Sequence, residues 1–176
     1  MAVKLAERAV DAVIAQLQAD LATELAAIVT ERADSDTLTA PATANYYNRP
    51  KAEIAGGTTE SHIEVFEGEV DFNNPYTDAA AERFTYEVPI TVRLTVFNRD
   101  GALAPPMATR MRRYGVGIAN VFNKNHDLGG TDSAIQAIRV DSVRAHWDEN
   151  NPDDGAGKIK VQTVVETTVK CEETQA

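Results

Sequence analysis

Cysteine and tryptophan occur once each in this chain, at Cys171 and Trp147, and aromatic residues make up only 6% of its 176 residues. A lone cysteine cannot build an internal disulfide framework. No apolar stretch is expected to approach the roughly 18 to 20 residues that a membrane span needs. Residues 1–9 lack the basic, apolar and small-residue blocks of a secretory signal. These absences lead us to expect a protein that folds in a reducing cytoplasm. Basic charge is also scarce, with 17 Lys and Arg against 27 Asp and Glu, a formal net charge of −10. That balance is unsuited to gripping DNA, which relies on cations to neutralise phosphates, or to holding anionic lipid. It is compatible with nucleic acid passing close by, because a like-charged wall repels the backbone.

Chemistry-bearing motifs are equally absent. His62, His126 and His146 lie far apart, and none stands in an HExxH helix or near a cysteine, so a zinc site has no support. Gly56-Gly57-Thr58-Thr59 lacks the lysine and the strand-to-helix setting of a phosphate loop and reads as a turn. The acidic run 148–155 fails as a calcium loop. With Gly155 on the loop glycine, Pro152 takes one ligand position and Val161 stands where the bidentate Glu belongs. Cys171 falls on the apolar parity of a strand and reads as a small core residue rather than a nucleophile. We therefore expect no catalytic residue, no metal ligand and no cofactor, and a protein that is not an enzyme.

What remains is an ordinary globular composition, 43% hydrophobic and 25% charged, sufficient for one core. Residues 3–32 repeat Val10, Val13, Ile14, Leu17, Leu21, Leu25 and Ile28 at steps of three or four, the signature of an amphipathic helix. Such a helix either lies over a sheet or overhangs at one end to pack on another subunit. Residues 33–60, rich in Ala, Thr, Asn, Pro and Gly, form a long connection, in which Tyr46 and Tyr47 either tuck onto the core or meet a partner. A strand is expected at 62–72. The strongest strand signal runs from 84 to 97, where Phe84, Tyr86, Val88, Ile90, Val92, Leu94 and Val96 alternate with polar residues. Pro89 within it implies an edge or a bulge, and its length implies a bend or an arm leaving the domain. A second helix spans 107–123 behind Pro105 and Pro106. In it, Gly115 and Gly117 cost helix stability and allow close packing on the sheet. Strands at 135–147 and 158–172 follow. The first changes phase, which one inserted residue near Ser142 would explain.

The order predicts an α+β domain over residues 1–176, with a frayed tail at 173–176. Both helices cover one face of a four-stranded, mainly antiparallel sheet. Two charge features stand out. Glu67, Glu69, Asp71, Asp78 and Glu82 form an acidic stretch without a base from 67 to 82. Arg110, Arg112 and Arg113 cluster on the second helix. Each alone reads as a solvated face; together they offer opposite signs for a head-to-tail contact.

Helix, hairpin, helix, hairpin, with a long first helix and acidic loops, resembles the tail terminator proteins of long-tailed bacteriophages over about residues 3–172. The likeness is one of element order and character. It implies a virion structural protein assembled in the host cytoplasm, forming a homo-oligomeric ring, hexameric by that resemblance, that caps the tail tube and meets the head–tail connector. It further implies that the strand 84–97 and the loop 73–81 form the extended hairpin of the ring. Arg110, Arg112 and Arg113 would then face the acidic stretch of a neighbouring subunit. Glu67, Glu69, Asp71, Asp78 and Glu82 would line a channel through which DNA passes without specific binding. The elaborate 33–60 connection keeps open a neck or head-completion protein. A small ferredoxin-like α+β enzyme or ligand-binding domain, and a generic oligomeric binding module, are the alternatives from other classes.

Overall fold

The computed structural model describes residues 2–33, 37–48, 61–70, 76–78, 83–98, 105–130, 132–147 and 159–174. In chain order the elements are α1 (Ala2–Arg32), β1 (Tyr46–Tyr47), β2 (His62–Glu67), β3 (Tyr76–Asp78), β4 (Arg83–Asn98), α2 (Pro105–Lys124), β5 (Ile135–Trp147) and β6 (Ile159–Thr174). Single 3₁₀ turns stand at Thr43–Asn45 and Leu128–Gly130.

Side-chain alternation builds the sheet. On β4, Tyr86, Val88, Ile90, Val92 and Leu94 are buried, as are Val161, Val165, Val169 and Cys171 on β6. The two strands pair antiparallel along their whole length, from Arg83 opposite Thr174 to Asn98 opposite Ile159. β4 therefore does not leave the domain as a lone arm; β6 accompanies it throughout. β2 pairs antiparallel with β4 on the other side, and β5 with β6.

The expected four-stranded sheet is incomplete. The observed order is β1-β2-β4-β6-β5, with β3 pairing separately to the start of β4. β1 runs parallel to β2, which makes the sheet mixed. Strands as short as β1 and β3 carry too few residues to show an alternation. The expected strand at 62–72 ends at Glu67 for the same reason that β3 exists: β4 changes partner there.

Pro89 fits at that exchange, with no bulge. Its carbonyl accepts a hydrogen bond from the Gly68 amide at 2.8 Å. Within an antiparallel strand the N and O of one residue point to the same side, so its missing N–H faces the gap between β2 and β3 and removes no bond from the β4–β6 ladder. The phase change in β5 is a bulge as expected, with the register shifting between Val140 and Ser142. A second shift falls between Ile135 and Ala137. The first leaves Ser142 Oγ buried without a hydrogen bond among the described residues.

Both helices cover one face. The stripe from Leu5 through Val13, Leu17, Leu21 and Leu25 to Ile28 is buried along α1, so its whole apolar face is used within the subunit. By length and composition alone the segment Lys4–Arg32 is apolar enough to cross a membrane, which corrects the expectation that no apolar stretch approaches a span. Here that apolar face packs into the core. Gly117 lets α2 approach α1: an added Cβ would stand 2.7 Å from Leu25 Cδ2 and 3.6 Å from Ile28 Cδ1. Gly115 serves the other neighbour, since its Cβ would meet Val143 Cγ1 at 2.5 Å and Thr163 Oγ1 at 3.2 Å. One glycine thus admits the sheet, as expected, and the other admits α1.

Polar ties fix the same packing. Lys124 Nζ donates to both oxygens of buried Glu24, at 2.7 and 2.8 Å. Asn125 Nδ2 donates to Asp20 Oδ2 at 2.9 Å. Thr163 Oγ1 donates to the Met111 carbonyl at 2.9 Å, tying β6 to α2. Replacement Gly117→Val forces a branched side chain against fully buried Leu25. We expect it to destabilise the fold by about 1–3 kcal/mol, read as a lower urea midpoint with an unchanged slope; an unchanged midpoint contradicts the close approach.

Candidate functional site

The three arginines occupy one side of α2, and their positions differ. Arg112 is exposed, whereas Arg110 and Arg113 are half-buried. Helical spacing aligns Ala108, Arg112 and Val116 along one ridge. With Val143 and Ala145 of β5 that ridge encloses a groove of about 450 Å³. A second groove, of about 270 Å³, lies on its other flank, where Arg112, Arg113 and Val116 meet Ile28 and Arg32 at the end of α1. Val116 is 48% exposed and Val143 41%, the large hydrophobics left most open among the described residues. Arg112 has no hydrogen-bond or ion-pair partner among the described residues.

The acidic stretch is not one hairpin. Glu67 ends β2, and both it and Glu69 are exposed. Asp78 stands in β3, its backbone in register with Arg83 of β4. Asp71 and Glu82 lie outside the described residues, as do Gly56 to Thr59 and the acidic run 148–155.

The strand order sets the two charge features apart. α2 rests on β5 and β6, while the end of β2 lies beyond β4 on the opposite side of the sheet. Within one subunit the arginines and these carboxylates therefore face opposite edges.

The sheet face away from the helices is polar and internally paired. Glu64, only 3% exposed, meets Arg93 at 3.4 Å, and the Arg93 guanidinium lies 5.1 Å from the centre of the Phe66 ring. Thr91 Oγ1 donates to Glu166 at 2.9 Å, and Gln162 Nε2 to Thr95 Oγ1 at 3.1 Å. Asp141 accepts from Thr168 at 2.6 Å and from Arg139 at 2.7 Å. Burial alone would raise the Asp141 pKa, but these two donors and the Arg139 charge hold it below the usual carboxylate value. Such cross-strand pairs consume the charges that a catalytic or phosphate-binding face would leave available.

The tyrosine pair tucks inward. Tyr46 packs against the core, and burial pushes its phenol up to about 12. Tyr47 stands edge-on to buried His62, ring centres 5.9 Å apart. Among the described residues no three His, Cys, Asp or Glu side chains gather to hold a metal. No protein-family model matches this chain, and neither does any curated protein sequence.

The grooves beside α2 were not foreseen from the sequence. The signal was present: Val116 falls outside the stripe of Met111, Tyr114, Ile118 and Val121, where an apolar residue has no core to enter.

Cys171 is fully buried, as its strand parity implies. Burial, and then the nearby Asp132 charge, push its thiol up from 9.0 to about 11, while Arg8 acts in the other direction. That rise lowers the thiolate fraction at pH 8 by about 100-fold. Iodoacetamide should therefore alkylate Cys171 at least about 100-fold more slowly in the native protein than in urea. Comparable rates would contradict the buried placement.

Proposed function

We propose that this protein is a phage structural protein, a tail terminator whose subunits form a closed ring that caps the tail tube and joins it to the head connector. The observation that carries the reading is the segregation of charge and open surface to opposite edges of one sheet. Arg112 and two exposed valines stand beside β5, and Glu67 and Glu69 stand at the end of β2. A surface with unlike, mutually complementary edges favours heterologous head-to-tail contacts, which close into rings when the rotation per subunit permits. The paired strands β4 and β6, far longer than the usual five or six residues, supply a rigid frame for both edges.

In this reading the ring is a hexamer with the tail tube and a neck or connector protein as partners. The acidic stretch borders a lumen that DNA crosses, where carboxylates keep phosphates from adhering. The protein belongs to the virion and assembles in the host cytoplasm. It binds neither membrane nor cofactor and performs no catalysis.

Negative-stain micrographs of the purified chain, alone and with tail tubes, test the reading. Six-fold rings, free or seated on tube ends, are the expected outcome. Monomers that leave tube ends bare would contradict it.

A further inference from the structure

We propose that the outer edge of β5 receives the end of β2 from a second copy of this chain, so that one mixed sheet continues from subunit to subunit. This rests on the ring reading and specifies its contact.

Three observations converge on that partner. The first is an open edge. β5 is the last of the described strands in the sheet. Near its start the Ile138 amide is occupied by the His126 carbonyl at 2.6 Å, but no described strand pairs with its outer side over 142–147. Unpaired edges are ready templates for strand addition. The second is an available strand at the other edge. β1 pairs with β2 only at Ile63 and Glu64, so the outer side of β2 is open among the described strands from Val65 onward.

The third is direction and face. β2 and β6 run antiparallel to β4, and β5 runs antiparallel to β6. Head-to-tail repetition therefore sets β2 of the next copy antiparallel to β5, with the helices of both copies on the same side. Ile63 and Val65 face the helices, and by alternation Glu67 points to that same face. Added beside β5, Glu67 enters the groove formed by Val116, Val143 and Ala145, where Arg112 stands without a partner among the described residues. Glu67 and Glu69 also lack partners among the described residues. The match joins opposite charges across an apolar floor. It assigns Glu67 and Glu69, at the root of the acidic stretch, to the subunit contact.

Charge exchange followed by sedimentation velocity on the full chain tests this contact. Arg112→Glu alone, and Glu67→Arg with Glu69→Arg, should each weaken assembly at least about tenfold. All three changes in one chain should restore it to within about threefold of the unaltered protein. In a Cys171→Ala background, Glu67→Cys with Ala145→Cys should give disulfide-linked neighbours, and Ala145→Cys alone should give none. Rings that persist through each reversal, or reversals that do not rescue one another, overturn the contact and leave the ring standing. Cross-linking through Ala145→Cys alone does the same, since it reports β5 against β5. An unaltered chain that never assembles, with or without tail tubes, overturns both.

Discussion

The antiparallel ladder between β4 and β6 is the constraint on which the remaining structure depends. It joins Arg83 to Thr174 at one end and Asn98 to Ile159 at the other. Each neighbour is registered against it: β2 and β3 share the far side of β4, and β5 adds to β6. Its regular alternation gives the sheet one apolar face, and that face obliges both helices to lie on the same side. The opposite face, which no described helix covers, is stabilised by polar pairs such as Glu64 with Arg93 and Thr91 with Glu166.

Close approach of α2 converts that ladder into a three-way contact. Gly115 yields room to Val143 and Thr163, and Gly117 yields room to Leu25 and Ile28. A helix with two internal glycines is intrinsically weak, by about 1 kcal/mol for each. The packing they permit and the ties through Lys124, Asn125 and Thr163 offset that weakness. The same approach leaves Val116 and Arg112 outside the core, on a ridge between two grooves. The surface that distinguishes this subunit is thus a by-product of how its second helix is seated.

Much of this was legible in the order of residues. Alternation located β4 and β6 within two residues at each end, helical spacing located α1 and α2, and the phase change near Ser142 located the bulge. Three kinds of feature were not legible. Strands of two or three residues, β1 and β3, are too short to show a period. Pairs such as Glu24 with Lys124 and Tyr114 with Thr39 join positions far apart in the chain, which no local pattern encodes. The position of Arg112 relative to the edge of β5 follows from strand order, and strand order is a tertiary property. The arginine cluster was visible as composition, whereas the valine-lined groove that gives it meaning required the fold.

Native-state hydrogen exchange measures the central claim, that the β4–β6 ladder is the last part of the fold to open. Amides of β4 and β6 that bond within this ladder, among residues 90–96 and 161–167, should exchange only through global unfolding, with free energies equal to that of the whole domain. Outward amides of β5 at 142–147 should exchange far sooner in the dissociated chain. If instead the slowest amides lie in α1 and α2 while the β4–β6 amides exchange along with those of β5, the ladder is not the frame of the fold.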